Sequence, residues 1–303
     1  MKPVDHVTIT KDMKINDLAK AFEKSGVFQA GKLGLAVDIA ERMFKDKDCR
    51  IFLGIAGAMV PGGMKNIIHD ILKSGRISVL VTTGATLTHD LGEGLGERHY
   101  QGSEYADDEK LNKQGLDRMY NSYMSNKVYG LIEDYCKEVF PKLKKEMNIQ
   151  EFLHEFGKHA PKNTILRICA DNDIKLFCPA LADSGLGLQV WNFLQSNKIK
   201  IDAFGDLNVI NDLSWTAKRS GVIYIGGGVP KNYIQQAMQF APKPAEYGIQ
   251  LTVDREAFGG SSGAPLKEGI SWGKMNPKGN FVDVICDATI SLPLLWAGLK
   301  SRI

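Results

Sequence analysis

Short apolar runs rich in β-branched residues recur along this chain, and most end in a loop of small residues that opens a helix. Arg50-Ile51-Phe52-Leu53 runs into Gly54-Ile55-Ala56-Gly57-Ala58. Residues 77–81 end in Thr82-Thr83-Gly84-Ala85-Thr86, residues 174–177 lead to Asp183-Ser184-Gly185, and residues 221–225 end in Gly226-Gly227-Gly228. Further strand candidates are 201–204, 247–253 and 281–286. Between them the apolar spacing is helical. Leu33, Val37, Ala40, Met43 and Phe44 share one face, and Leu292, Leu295, Trp296 and Leu299 another. Pro61 is expected to open a helix through Ile67, Ile68, Ile71 and Leu72, since a first-turn proline loses no helical bond. Strand alternating with helix predicts βαβ units, an α/β fold with a doubly wound, mostly parallel sheet. Ligands of such sheets sit at the strands' carboxyl ends, where the small-residue loops lie.

The polar stretch 99–117 reads as an exposed loop and 119–159 as charged surface helices. The expected organisation is one domain spanning 1–303, with an N-terminal extension over 1–25 and a helical insertion at about 105–160. Gly92, Gly94 and Gly96 space like part of a dinucleotide motif but follow a helix, so they carry no cofactor assignment.

Bulk properties narrow the function. A net charge of +3, with 24% charged residues of interspersed sign, gives no case for nucleic-acid binding. No apolar run approaches the roughly 20 residues of a membrane span. The start, MKPVDHVTITKDMK, has no signal-like apolar region, and the five cysteines form no CxxC pair, so a cytoplasmic protein is expected. His154 and His159 are five apart rather than the four that stack on a helix, and no metal site is expected.

The chemistry concentrates in residues 251–289. A Gly/Ser-rich loop, Gly259-Gly260-Ser261-Ser262-Gly263, precedes Ser271-Trp272-Gly273-Lys274, and an apolar run ends at Asp287-Ala288. A lysine attacks an imine carbon only when uncharged, and at its unperturbed pKa of about 10.4 few molecules are neutral near pH 7. Shelter against Trp272 is expected to favour the free amine. The indole face also suits a cationic amine. Glu268, six residues earlier, is placed to hold a substrate ammonium. Read from residues alone, Lys274 is more often a surface lysine after a turn and Trp272 a core residue.

Six segments carry a resemblance to the deoxyhypusine synthase family: LGIAGAMVPGGM (53–64), LVTTGATLTHDL (80–91), PALADSGLG (179–187), IGGGVPKN (225–232), SGAPLKEGISWGK (262–274) and DAT (287–289). Their style is similar to archaeal members, and the resemblance spans about residues 26–299. It implies a Rossmann-like, NAD-binding fold, a homotetramer with active sites between paired subunits, and spermidine as substrate. In that chemistry spermidine gives hydride to NAD, its aminobutyl group moves to an enzyme lysine, here Lys274, and then to a lysine of translation factor 5A. NAD contacts fall by resemblance on Gly57, Ala58, Thr83, Gly84, Asp183, Gly227, Asp287 and Ala288. Asp183 and Asp287 are plausible ribose ligands, and Asp183 is alternatively a helix N-cap. Substrate contacts fall on Asn232, Gly259, Ser261, Ser262, Glu268 and Trp272.

The departures cluster on the amine. Leu188 and Ser261 stand where eukaryotic members carry acids, Asn232 replaces a histidine, Gln236 an asparagine, and Thr88-His89 an acidic pair. Fewer carboxylates leave a polycation's ammonium groups unpaired. His89 is a candidate proton shuttle near the oxidised carbon, or a structural residue near a helix start. Four functions therefore compete: a deoxyhypusine synthase, a homospermidine synthase-like transferase with putrescine as acceptor, an NAD dehydrogenase that releases NADH, and a non-catalytic paralogue.

Overall fold

The protein's structure is a computed structural model describing all 303 residues. In chain order the elements are α1 (Ile15–Ser25), α2 (Phe28–Lys45), β1 (Cys49–Ile55), α3 (Lys65–Lys73), β2 (Ile77–Thr82), α4 (Gly84–Gly94), β3 (His99–Gln101), α5 (Asp108–Lys113), β4 (Leu116–Met119), β5 (Ser122–Ser125), α6 (Lys127–Val139), β6 (Glu146–Asn148), α7 (Ile149–His159), α8 (Ile165–Asp171), β7 (Lys175–Phe177), α9 (Gly185–Leu194), β8 (Lys200–Asp202), α10 (Gly205–Trp215), β9 (Arg219–Ile225), α11 (Gly228–Phe240), β10 (Ala245–Thr252), β11 (Met275–Ile285) and α12 (Ala288–Lys300). They form two compact units. The first comprises Met1–Ala56, Arg76–Val81 and Leu207–Ile303, and the second Gly57–Gly75 and Thr82–Asp206.

In the first unit the strand order is β11-β10-β9-β1-β2. β1 pairs parallel with β9, β9 with β10, and β10 with β11. The sheet is covered on both faces, which explains why its strands read as continuous apolar runs. On β9, Gly221 lies under Met43 of α2, whereas Tyr224 and its neighbour Gly54 meet Ile234 of α11. Helices therefore pack on opposite faces, as the alternation predicts. α1 sits against α2 where Gly34 lets backbones approach; a Cβ there would lie 2.2 Å from Glu23 N. Phe44 and Trp296 of α12 pack with ring centroids 5.9 Å apart and planes tilted by 57°. The registers Ile55↔Ile225, Leu251↔Ile225 and Thr252↔Ile285 bring four strand ends nearly level. Gly226–Gly228 and Asp287-Ala288, which start α11 and α12, thus share the sheet's carboxyl edge.

The second unit is mainly helical. Phe140, Phe152, Phe156 and Phe193 pack together, with ring centroids between 5.4 and 5.8 Å for the contacting pairs. Asp90 is fully buried and accepts from His69 Nε2 at 2.9 Å and from the Ile165 backbone N–H at the start of α8. Three sequence expectations change here. Stretch 99–117 is not a loop: it holds β3, α5 and β4, and with β5 the strands form an antiparallel sheet in the order β3-β5-β4. These strands are three or four residues long and only partly buried, so they show no apolar alternation to read. Residues 119–125 are strand and turn rather than helix for the same reason. Pro61 sits in a turn ahead of α3, which begins at Lys65 after Gly63 with φ +82°.

Candidate active site

One cleft of 390 Å³ lies wholly within the first unit and contains Lys274. Its floor is a single face of α11, where Lys231, Gln235 and Gln239 recur at every fourth position with Asn232 and Gln236 beside them. From Lys231 to Gln239 this face runs about 12 Å at 1.5 Å per residue. Gly259, Gly260 and Ser261 close one end, and Trp272 and Lys274 line the wall with Glu268.

Lys274 directly precedes β11, at the strand's amino end and not at the carboxyl edge where the glycine loops lie. Its backbone is pinned there. Lys274 N–H donates to Gly269 O at 2.8 Å, and its carbonyl accepts from Ala245 N–H at 3.0 Å. Gly269 permits this approach, since a Cβ there would lie 2.9 Å from Met275 Cγ. The Lys274 ammonium bonds to no carboxylate. Its Nζ stands 4.9 Å from the centre of the Trp272 ring. The expected shelter is not found: Trp272 is 56% exposed. An indole face attracts a cation, so the contact is a cation–π pair and not a desolvating wall. Glu268 is exposed and its carboxylate makes no ion pair, leaving it free for an ammonium.

The residue that sequence reading passes over is Lys231. It is 5% exposed, and its ammonium donates to Gln250 Oε1 at 2.8 Å and to the Ala264 carbonyl. Gln250 in turn donates to Ser262 O at 2.6 Å. One buried cation thus ties the Gly/Ser loop to α11 and β10. Asp283 holds the same segment further along, accepting from Leu266 N–H at 3.0 Å. Burial pushes the Lys231 ammonium down to about 8; Asp283 and Glu268 oppose this and Lys274 adds to it. The stability this depression contributes is present above the unfolded value near 10.5 and lost as pH falls through about 8. The stability difference between the wild type and Lys231→Met is accordingly expected to shift in favour of the wild type between pH 7.5 and 9.5. Urea titrations at the two pH values read it, and an unchanged difference would show that Lys231 is not desolvated.

The residues assigned to a dinucleotide fall into two groups. In the second unit, Thr83 caps α4, and a Cβ on Gly84 would lie 2.3 Å from Ser184 Oγ. Two helix N-termini, of α4 and α9, therefore lie side by side, an arrangement that suits phosphate. Asp183 is exposed there and is not the cap of α9: Ser184 fills that role, accepting from Gly187 N–H. Gly57, with φ +79°, and Ala58 lie in the turn after β1. In the first unit, a Cβ on Gly227 would lie 2.3 Å from Ser262 Cα, so the loop and the start of α11 are in close contact. Asp287 caps α12, accepting from Thr289 N–H at 2.7 Å with Oδ1. Asn232, Gly259, Ser261, Glu268, Trp272 and Lys274 all line the cleft, and Ser262 joins through its carbonyl. Leu188, which stands where eukaryotic members carry an acid, is 58% exposed on α9.

Comparison with known proteins then decides the family. The deoxyhypusine synthase family description matches residues 17–299. The chain belongs to the deoxyhypusine synthase family. It is 40% identical to "Probable deoxyhypusine synthase 1" of Methanosarcina acetivorans, over 99% of this chain and 95% of that one. It is 38% identical to "Probable deoxyhypusine synthase" of Methanothermobacter thermautotrophicus, over 99% and 98%. These relatives are archaeal, as the motif style implies. A crystal structure from Entamoeba histolytica assigned to deoxyhypusine synthase shares the fold, with a TM-score of 0.66, 18% identity, and 96% and 94% of the two chains covered. Deoxyhypusine synthases are transferases, so this chain is an enzyme of that class. No helix is long and apolar enough to cross a membrane.

Proposed function

We propose that the protein transfers the aminobutyl group of spermidine, through a covalent imine on Lys274, to a lysine of translation factor 5A, using NAD. The observation that carries this reading is the lysine itself. Lys274 opens into a cleft without a carboxylate to neutralise it, while the one carboxylate of that cleft, Glu268, is free for a substrate ammonium. A bound dinucleotide would supply the oxidation that makes the amine's carbon electrophilic. By resemblance its contacts fall on Gly57, Ala58, Thr83, Gly84, Asp183, Gly227, Asp287 and Ala288. The close-approach glycines and adjoining helix starts suit its phosphates. Lys274 supplies the attacking nitrogen, and Trp272, which faces its ammonium, stacks on the cationic substrate. Ser261, Ser262, Gly259 and Asn232 border the amine. The working form is a cytoplasmic homotetramer.

Borohydride added with NAD and spermidine is expected to fix an aminobutyl adduct on the peptide containing Lys274, seen by mass spectrometry. A folded, NAD-bound protein that gives no adduct with any common polyamine defeats the transferase reading, and steady NADH release would favour a dehydrogenase. A second reading has its own observation. The cleft offers one carboxylate against a row of uncharged amides, Asn232, Gln235, Gln236 and Gln239, which pair poorly with a trication. A small diamine acceptor, as in homospermidine synthesis with putrescine, suits that lining better. Radiolabelled spermidine offered to factor 5A and putrescine together separates the two.

A further inference from the structure

The cleft around Lys274 has a charge balance that a plain polyamine does not answer. Its ionisable lining is Lys231, Lys274 and Glu268, two ammonium groups against a single carboxylate. Lys274 Nζ meets the Trp272 face and no anion. Lys231 Nζ donates to Gln250 Oε1 at 2.8 Å and to the Ala264 carbonyl, both uncharged acceptors. An ammonium has three N–H bonds, so one N–H of Lys231 is left without a protein partner. Asp283 also acts on Lys231 through its charge, but its oxygens accept from Leu266 N–H and form no ion pair with the lysine. A buried ammonium that borders a ligand cleft and has no counter-ion favours an anion in that cleft.

The amides beside it point the same way. Asn232, Gln236 and Gln239 line the cleft, are exposed, and form no side-chain hydrogen bond with the protein. Gln235 differs, because its Nε2 donates to the buried Tyr224 hydroxyl at 2.8 Å. A free amide donates to a carboxylate and accepts from an ammonium, so this row serves either charge. Spermidine and putrescine carry ammonium groups alone. They satisfy Glu268 and are repelled by the two lysines. A ligand with a carboxylate as well as an ammonium answers both signs.

We propose that the small acceptor of this cleft is an α-amino acid with a second, side-chain amine, its carboxylate held by Lys231 and Asn232 and its α-ammonium by Glu268. This rests on the transferase reading above and names the acceptor of its small-molecule form. The side-chain amine, uncharged, adds to the imine carbon carried by Lys274. A C–N bond forms to the acceptor, the C–N bond to Lys274 breaks, and the acceptor's proton leaves on the Lys274 nitrogen. The new imine then takes back the hydride removed from spermidine, with a proton from water, and becomes a secondary amine that keeps the carboxylate. The carboxylate alone separates such an acceptor from the matching diamine, so Lys231 is the residue that selects between them.

L-Ornithine and putrescine test this directly, since the first is the second plus a carboxylate. With NAD and radiolabelled spermidine, kcat/KM for L-ornithine is expected to exceed that for putrescine roughly 10- to 10²-fold, the scale of a hydrogen bond to a charged group. Equal values, a preference for putrescine, or transfer to factor 5A alone overturns the proposal. Lys231→Gln keeps a donor for the Gly/Ser loop but carries no charge, and should bring the ratio close to one. An equal loss on both acceptors with the ratio kept makes Lys231 a loop tether only and overturns its selecting role; if this variant does not fold, the wild-type ratio still decides. A wild type that moves the aminobutyl group to no acceptor, factor 5A included, sinks the transferase reading instead. Isothermal titration of the unreacted protein then decides the carboxylate site: L-ornithine binding about 10-fold or more tighter than putrescine upholds it, and a smaller preference or no binding removes it.

Discussion

Lys274→Arg is expected to abolish covalent capture of the amine fragment and to lower turnover by roughly 10³-fold or more, the scale on which removing a nucleophile acts. The substitution keeps the charge, and a guanidinium can stack on the Trp272 face as the ammonium does. What it removes is the capacity to shed a proton and attack. Folding should be untouched, because the Lys274 side chain makes no hydrogen bond or ion pair and contacts the indole at 4.9 Å. A stability change within about 0.5 kcal/mol is expected in urea, as for a surface substitution. The informative readout is the borohydride adduct. An adduct surviving on a different lysine, with Lys231 in the same cleft the first to inspect, would move the nucleophile and overturn the assignment.

The largest loss of stability is expected from Asp90→Ala. Asp90 has no exposed surface, and its carboxylate faces His69, Lys65 and the first backbone N–H of α8. Truncating it leaves His69 and the Ile165 N–H buried without an acceptor, while Lys65 keeps Glu93 at 3.2 Å, a loss of about 3–5 kcal/mol for breaking a buried ionic cluster on one side. Asp90→Asn keeps an acceptor and the side chain's volume, so it should recover part of that loss. Denaturant midpoints of the two variants test the ordering. A neutral Asp90→Ala would mean that His69 and Lys65 reach water once the carboxylate is gone.

Legibility varied with the range of the interaction. The strands of the first unit were plain because 51–53, 77–81, 221–225 and 281–285 are β-branched or apolar runs closed by small residues. The edge strands β3, β4 and β5 were not, since three or four half-exposed residues leave no period to detect. Lys274 stood out through its flanking glycines and indole and through the family resemblance. The role first given to Trp272 did not survive, because a sequence shows that an indole is near but not which way it faces water. Lys231 was invisible for a related reason. A lysine four residues into a helix reads as a solvated head group, and only Ala264 and Gln250, 33 and 19 residues away, turn it into a buried tether.

The amino-acid sequence by itself determined the alternation of strand and helix, the small residues at strand ends and the family, because each is written in neighbours a few positions apart. The tertiary structure alone decided that β9 lies between β1 and β10, that Glu268 is left without a partner, and that His89, Glu93 and His99 form one hydrogen-bonded line. Such pairings depend on where distant segments pack. Local periodicity reports which face of an element is dry, whereas the charge state and reach of a side chain follow from what the rest of the chain places against it.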